Sequence, residues 1–446
     1  TFAITSGGAI TDSGTQTITG DATFTNTAGT DDAITLDDAS NAFSGTVTFA
    51  TDSGSAVTIV DTTALDLVAL TAASLSATAG GAVTDSGTLA IAGATTISAS
   101  GQDITLDESA STFGTLALTG ANVAVTDAGA VDLGASTISG TFGITSGGAI
   151  TDSGTQAITG DATFTNTAGD DDAITLDDAS NDFGGTVTFA ADSGSAVTIV
   201  DITALDLKAL TAASLSATAG GAVTDSGTLA IAGATTISAS GQDITLDDSA
   251  STFGTLALTG VNVAVTENAA TDLGASTVSG TLDITSAGAV TDSGTLAIIG
   301  TTSISASGQD ITFDQVASTF GTLALTGANV AVTENAATDL GASTVSGTFA
   351  ITSGGAITDS GTQTITGDAT FTNTAGTDDA ITLDDASNAF GGTVTFATDS
   401  GSAVTIVDTT ALDLLALTAA SLSATAGGAV TDSGTLAIAG ATTISA

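Results

Sequence analysis

Carboxylate side chains are the groups in this sequence that could do chemistry, and they recur at regular intervals. The 446 residues contain 48 acidic side chains, one basic side chain (Lys208) and no histidine or cysteine. Short apolar runs recur along the chain, and many of these runs are followed by an acidic residue. The first six such residues are Asp12, Asp37, Asp61, Asp85, Asp107 and Asp127. Carboxylates stacked about 5 Å apart repel by about 0.8 kcal/mol per pair in water, so one row of them favours bound cations. The alternative is a set of turn aspartates that bond to nearby backbone N–H groups.

A second acidic group lies in the turn NTAGTDD and in the segment that follows it. Oxygen atoms that converge there would suit Ca²⁺, which takes about 6–8 oxygen ligands. The candidate ligands occur in three copies: Asn26, Asp31, Asp32 and Asp52; Asn166, Asp171, Asp172 and Asp192; Asn373, Asp378, Asp379 and Asp399. The competing interpretation is an Asx turn without a metal. Ca²⁺ is the only cofactor that the sequence favours.

The rest of the composition argues against catalysis. Acyl-transfer triads need a base such as histidine, and the sequence has none. A serine–lysine pair would have to use Lys208, but Val68 and Leu415 occupy that position in the other copies. Paired carboxylates could cleave glycosidic bonds, yet tryptophan, tyrosine and arginine, which sugar sites commonly use, do not occur. We predict that the protein is not an enzyme.

Charge and hydropathy also limit the partners. One lysine against 48 acidic residues cannot neutralise a nucleic-acid backbone, so we expect no nucleic-acid partner. No apolar run approaches the roughly 20 residues that a transmembrane helix needs, so we expect no membrane insertion. Cations are expected as counterions.

The elements that carry these carboxylates belong to a long repeat. Thr348–Ala446 repeats Thr1–Ala99 with few changes, and Thr141–Gly280 repeats Thr1–Gly140, so the period is the length of Thr1–Gly140. Each period divides into a longer and a shorter part, which gives the blocks 1–73, 74–140, 141–213, 214–280, 281–347, 348–420 and the partial block 421–446. Such a pattern predicts one continuous solenoid segment of a longer chain.

Each block contains three lines of about 20–28 residues, and each line holds short runs with alternating, β-branched character. Three short strands per line are typical of one coil of a parallel β-helix. We therefore predict an all-β parallel β-helix of about 19 coils, uncapped at both ends. Like residues should stack in inward columns, one of which is Ile4, Phe24, Phe49, Ala77, Ile97 and Leu118.

The phrases GGAITDSGT, ASNAFSGTVTF, TGANVAVTDAGAVDLG and ASGQDITLD resemble the repeats of filamentous-haemagglutinin-like large exoproteins. The resemblance covers the whole chain and implies a right-handed parallel β-helix. It also implies a prokaryotic protein that is secreted or held at the cell surface, with a role in adhesion or biofilm structure.

The pattern and the resemblance favour a structural function. The expected role is a rigid acidic shaft of an extracellular filament, sheath or adhesin stalk, stabilised by divalent cations if the acidic corners bind them. The alternative is an adhesin surface that binds glycans or other cells. Ice binding through outward Thr-x-Thr rows is a third alternative. The expected partners are other copies of the protein, joined end to end or laterally, or further parts of the same chain.

Overall fold

The computed structural model describes residues 1–27, 29, 31–167, 171–374 and 378–446. These residues form two compact units, Thr1–Ala232 (unit 1) and Gly233–Ala446 (unit 2). All regular elements of the described residues are β-strands. No helix in the described part of the chain is long and apolar enough to cross a membrane.

The alternating runs of the sequence form these strands. In Ala56–Asp61, Val57 and Ile59 are 1% and 0% exposed, whereas Thr58 and Val60 are partly exposed. Successive side chains of a strand point to opposite faces, so one set of apolar residues enters the core and the residues between them face outward.

The strands of unit 1 are short and follow one another closely. In chain order they are β1 (Phe2–Ser6), β2 (Ile10–Thr11), β3 (Thr17–Ile18), β4 (Ala22–Asn26), β5 (Ile34–Leu36), β6 (Ala42–Phe43), β7 (Thr46–Ala50), β8 (Ala56–Asp61), β9 (Leu65–Leu67), β10 (Leu70–Ala72), β11 (Ser74–Ala79), β12 (Val83–Asp85), β13 (Leu89–Ser98), β14 (Ile104–Leu106), β15 (Thr112–Gly120), β16 (Val123–Asp127), β17 (Val131–Leu133), β18 (Ser136–Ile138), β19 (Phe142–Ser146), β20 (Ile150–Asp152), β21 (Gln156–Ile158), β22 (Ala162–Asn166), β23 (Ile174–Leu176), β24 (Asp182–Phe183), β25 (Thr186–Ala190), β26 (Ala196–Asp201), β27 (Leu205–Ala212), β28 (Ser214–Ala219), β29 (Val223–Asp225) and β30 (Leu229–Ser238), which contains the division point.

The strands of unit 2 follow the same plan. They are β31 (Ile244–Leu246), β32 (Thr252–Gly260), β33 (Val263–Glu267), β34 (Thr271–Leu273), β35 (Ser276–Val278), β36 (Leu282–Ser286), β37 (Val290–Asp292), β38 (Leu296–Ile298), β39 (Thr301–Ser305), β40 (Ile311–Phe313), β41 (Thr322–Gly327), β42 (Val330–Glu334), β43 (Thr338–Leu340), β44 (Ser343–Val345), β45 (Phe349–Ser353), β46 (Ile357–Asp359), β47 (Gln363–Ile365), β48 (Ala369–Asn373), β49 (Ile381–Leu383), β50 (Ala389–Phe390), β51 (Thr393–Ala397), β52 (Ala403–Asp408), β53 (Leu412–Ala419), β54 (Ser421–Ala426), β55 (Val430–Ile438) and β56 (Thr442–Ser445).

Parallel pairing between successive coils confirms the predicted β-solenoid. On the first face of unit 1, each strand pairs in parallel with the next in the series β1, β4, β7, β9, β12, β14, β16, β19, β22, β25, β27 and β29. On the second face the series is β2, β5, β8, β11, β13, β15, β17, β20, β23, β26 and β28. The backbone N–H and C=O groups of these strands are thus bonded to the strands of adjacent coils.

The coils are shorter and more numerous than predicted. The first face carries seven strands, β1 to β16 in its series, before β19 begins the second copy at Phe142. One full period therefore makes seven coils rather than six, and the chain makes about 22 turns rather than 19. The sequence-based estimate was wrong because it took the longest lines of the repeat as single coils.

The extra coil arises where a face divides. Val47 of β7 pairs with Leu67 of β9. In the next coil this side is carried on by two separate strands. Leu65 of β9 pairs with Val83 of β12, whereas Leu70 of β10 pairs with Leu89 of β13. One side of the coil has become two, separated by a new turn.

This division breaks one of the predicted inward columns. Ile4, Phe24 and Phe49 are stacked as predicted. Ala77, however, stacks on Ile59 and belongs to a different column, which already includes Leu36 and continues through Ile97 and Leu118.

Phenylalanine rings fill the core at the start of each longer block. The ring centroid of Phe24 lies 5.7 Å from those of Phe2 and Phe49 and 6.0 Å from that of Phe43. The same cluster recurs around Phe164 and, in unit 2, around Phe371. Offset and edge-to-face pairs of this kind add to the free energy gained from burial.

Candidate functional site

The acidic residues of the predicted ladder lie at two corners of the coil rather than one. In unit 1, Asp12, Asp37 and Asp61 lie at the ends of the second-face strands β2, β5 and β8. The next three, Asp85, Asp107 and Asp127, lie at the ends of the first-face strands β12, β14 and β16. The single row of like charges expected from the sequence is therefore divided into groups of three, which we call acidic triads. In chain order the later triads are Asp152, Asp177 and Asp201; Asp225, Asp247 and Glu267; Asp292, Asp314 and Glu334; and Asp359, Asp384 and Asp408.

The third residue of each triad enters the core and caps a phenylalanine backbone. Asp61 is 1% exposed, and its Oδ1 accepts hydrogen bonds from the N–H of Phe43 (3.1 Å), the N–H of Thr63 (2.9 Å) and Thr63 Oγ1 (2.8 Å). The donor–acceptor pairs of this kind are Phe43 with Asp61, Phe113 with Asp127, Phe183 with Asp201, Phe253 with Glu267, Phe320 with Glu334 and Phe390 with Asp408. The carboxylate thus supplies an acceptor for a buried phenylalanine N–H at the corner.

The first residue of a triad holds the turn of the following coil. Asp12 Oδ1 accepts the N–H of Asp37 at 3.1 Å, and Asp12 Oδ2 accepts Asn41 Nδ2 at 2.6 Å. Asp85 Oδ1 accepts the N–H of Asp107 at 2.8 Å in the same way. The second residue of each of these two triads, Asp37 or Asp107, is exposed. The three positions of a triad therefore have three different environments.

Burial raises the pKa of several triad carboxyls. Desolvation raises the pKa of Asp85, Asp127, Asp152, Asp201, Glu267, Asp292 and Asp359, although backbone and side-chain donors oppose it. The effect is largest at Glu334, where burial raises the pKa to about 7. Its Oε2 accepts the N–H of Phe320 at 3.1 Å. A carboxyl that is partly protonated at neutral pH attracts cations weakly.

The second predicted group also makes local hydrogen bonds. Asn26 Nδ2 donates to the carbonyl oxygen of Asp32 at 2.5 Å, and Asp52 Oδ2 accepts the N–H of Gly29 at 2.9 Å. The carboxylate of Asp31 lies so close to Gly54 that a side chain there would collide with it. Two residues of this turn, 28 and 30, lie outside the described residues.

The two copies keep the asparagine bond of this turn. Asn166 Nδ2 donates to the carbonyl oxygen of Asp172 at 2.6 Å, and Asn373 Nδ2 donates to that of Asp379 at 2.7 Å. An Asx turn would use the asparagine side-chain oxygen as the acceptor. Here the side-chain nitrogen donates instead, and the Oδ1 atoms of Asn26, Asn166 and Asn373 are buried without a hydrogen-bond partner among the described residues.

The metal-ligand role of these residues stays a prediction. Within the described ranges, no group of three or more acidic side chains is placed to hold a metal ion. If the turns bind Ca²⁺, chelation at fixed ionic strength should lower the melting temperature. An unchanged melting curve would contradict the prediction.

Sequence reasoning missed the polar residues that support the triads from inside. Asn41 is fully buried, donates to Asp12 and accepts the N–H of Gln16 at 2.7 Å. Gln156, also fully buried, donates to the carbonyl oxygens of Gly134 and Gly154 at 2.8 and 2.7 Å. The buried asparagine could have been found from the Ala-Ser-Asn phrase, which recurs at residues 39–41, 179–181 and 386–388.

These features define a class of protein: a repetitive parallel β-solenoid whose buried carboxylates cap its own backbone. The chain belongs to the family described as repeats of unknown function (DUF5649), whose model matches residues 1–50, 54–119, 120–190, 194–259, 260–326, 327–397 and 401–446. No curated protein and no solved structure is significantly similar to the chain.

Proposed function

We propose that these repeats are a structural, non-catalytic part of a secreted or cell-surface protein, such as the shaft of a filament, a sheath or an adhesin stalk. The observation that carries the proposal is the uninterrupted parallel pairing of each coil with the next, which on the first face of unit 1 joins twelve strands from β1 to β29. Each unit of such a solenoid contacts only its neighbours, so coils can be added without redesign.

The acidic residues support the same role. In the triads the carboxylates stabilise corners, as Asp61 does for Phe43 and Thr63. The charge of 48 acidic residues against one lysine favours solubility of such a repetitive protein. The resemblance of the repeats to filamentous-haemagglutinin-like exoproteins supports a prokaryotic, extracellular location.

The proposal is tested by changing the number of periods in the full-length protein of the producing cell. If the repeats are a spacer, the position of a label placed beyond them should depend on the number of copies. Insertion of five further copies of Thr141–Gly280 adds five times seven coils. At about 4.8 Å per coil, the label should move outward by roughly 170 Å. Immunogold labelling of intact cells measures that distance. A label that is hidden inside the cell, or whose distance does not change with copy number, would overturn the proposal.

A further inference from the structure

One triad corner of unit 2 differs from its counterpart in unit 1 at two buried positions. The segment Asp127–Val131 of the first shorter block reads DAGAV, whereas the corresponding segment Glu334–Thr338 reads ENAAT. The block before it carries the same change, with Glu267 and Thr271. A longer acid therefore occurs together with a threonine in place of a core valine.

At the Asp127 corner, two backbone groups bind the carboxylate. Its Oδ2 accepts the N–H of Phe113 at 3.0 Å, and its Oδ1 accepts the N–H of Gly129 at 2.8 Å. Backbone donors on both oxygens stabilise the ionised form of the acid. Val131, which is 2% exposed, adds an apolar side chain to the core beside them.

At the Glu334 corner, only one of the two oxygens has a donor. Oε2 accepts the N–H of Phe320 at 3.1 Å, but Oε1 is buried and has no hydrogen-bond partner among the described residues. Thr338 Oγ1 is also buried without a partner in that part of the chain. A protonated carboxyl group can donate a hydrogen bond and a carboxylate cannot, so the neutral acid suits this site better than the ion.

The elements around Glu334 supply no positive charge. The titratable groups on the elements packed beside it are Asp314 at the end of β40, Asp339 in β43 and Asp359 in β46, and all of them are acidic. The strand β45, which pairs with β42 on its other side, contains no titratable side chain. Lys208, the only basic side chain of the sequence, belongs to unit 1.

Ionisation of Glu334 places a negative charge in the core with a single backbone donor. Burial raises the pKa of Glu334 to about 7, against the opposing effects of the Thr338 hydroxyl and the Phe320 N–H. A buried charge that is poorly compensated is costly, so the ionised side chain is more stable in water. Its movement outward removes the acceptor of the Phe320 N–H, because Oε2 belongs to the same carboxylate.

We propose that the Glu334 corner is a proton-dependent switch built into the solenoid. With the proton bound, the side chain stays in the core, accepts the Phe320 N–H and keeps the corner closed. Release of the proton to water moves the carboxylate outward and opens this corner, while the coils around it stay folded. The Asp127 corner, with its two backbone donors, stays closed over the same pH range. This inference goes beyond the structural role of the repeats and does not depend on it.

Hydrogen–deuterium exchange of the full chain, read by mass spectrometry and corrected for the intrinsic effect of pH, measures the opening of each corner. Peptides that begin at Phe313 and at Leu106 contain Phe320 and Phe113 and differ in sequence, so the two corners are measured separately. From mildly acidic to mildly basic pH, opening of the Glu334 corner should increase about tenfold, whereas opening of the Asp127 corner should change about twofold at most.

Exchange of the two segments gives matched variants, because each sequence already forms a corner in this chain. The first variant should lose the pH dependence at Phe320, and the second should acquire it at Phe113. The first consists of Glu334→Asp, Asn335→Ala, Ala336→Gly and Thr338→Val, and the second of Asp127→Glu, Ala128→Asn, Gly129→Ala and Val131→Thr.

Three results would overturn the proposal. One is an equal effect of pH on the two corners of the unmodified chain. Another is exchange that rises uniformly across unit 2, because this would show a loss of overall stability and not the opening of one corner. The third is a pH effect that stays at Phe320 after the segments are exchanged, because it would then belong to other groups. None of these results would affect the spacer proposal.

Discussion

At the scale of single residues, the carboxylates of the triads are parts of the structure rather than a row of surface charges. Asp61 lies in the core with three donors on one oxygen, whereas Asp37, one coil away, is exposed. Neighbours in the acidic series therefore differ in their contribution to stability, which makes them natural controls for each other.

Replacing Asp61 with alanine should lower the free energy of unfolding by about 2 kcal/mol, because the buried N–H of Phe43 loses its acceptor. Asp37→Ala should change it by less than about 0.5 kcal/mol. Chemical denaturation monitored by circular dichroism measures both values. Equal effects of the two substitutions would show that the cap does not stabilise the corner.

The pH dependence of stability should follow Glu334. Burial raises its pKa from 4.5 to about 7, so the folded state binds the proton more tightly than the unfolded state. This contribution is fully present below pH 4.5 and is lost as the pH rises through 7. The free energy of unfolding should therefore fall across this range, by about 3 kcal/mol from this residue alone.

Glu334→Gln should remove that part of the pH dependence, because glutamine cannot ionise. The measurement is a series of denaturant curves between mildly acidic and mildly basic pH. Asp37→Asn, which removes one exposed charge, is the control. A Glu334→Gln variant whose stability changes with pH as steeply as the unmodified protein would contradict the assignment.

At the scale of strands and turns, the coils of unit 1 approach so closely that certain corners admit only glycine. A Cβ atom on Gly87 would overlap the carbonyl oxygen of Val68. At Gly143 the nearest atom to the Cβ position is the carbonyl oxygen of Val123 at 3.9 Å, which is an ordinary contact, and Ala3 and Ala350 occupy this place in the other copies. The two glycines therefore differ in how closely the backbone of the neighbouring coil approaches them.

Gly87→Ala should destabilise the protein by about 1–3 kcal/mol, because the backbone of two coils must shift. Gly143→Ala should have an effect within about 0.5 kcal/mol of zero. Thermal melts of the two variants compare them directly. Equal destabilisation would mean that the backbone conformation of glycine, and not the coil contact, is what matters.

Much of the element scale could be predicted from the sequence. The alternation of Val57, Thr58 and Ile59 indicated the strands, and the like-on-like stacking of Phe24 on Phe49 followed from the repeat. The division of a face after Val47 could not be predicted, because alternation tells which residues face inward but not where a corner lies.

For the same reason the candidate site was predicted in part. The acidic positions were found, yet their separation into two corners depends on coil length, which local patterns do not give. In the sequence, Asp12, Asp37 and Asp61 follow apolar runs much as the members of the next triad do, although the two triads lie on different faces.

At the scale of the whole molecule, copy number is the property that the repeat leaves free to vary. Unit 2 contains the complete block Thr281–Gly347, which resembles residues 214–280 and is followed by a longer block. Since repeats contact only their neighbours, removal of a whole block should leave the junction with the contacts of an ordinary repeat.

Deletion of Thr281–Gly347 should therefore leave a protein that unfolds in one sharp transition, with a melting temperature within a few degrees of the original. Deletion of 281–357, which also removes the whole of β45, should broaden and lower the transition. Calorimetry of the three proteins provides the comparison. A block deletion as damaging as the longer one would show that the blocks are not interchangeable.

The division of a coil face has a consequence for how such a chain evolves. Within unit 2, the strand of the GAVTDSGT phrase, Val290–Asp292, belongs to the series β34, β37, β40, β42 and β45. The matching strand one block later, Ile357–Asp359, belongs to the other series, β43, β46 and β49. A shorter block therefore contains three complete coils and one further side of a fourth coil. Recombination that gains or loses such a block changes the direction in which later side chains of the unit point, although no local sequence has changed.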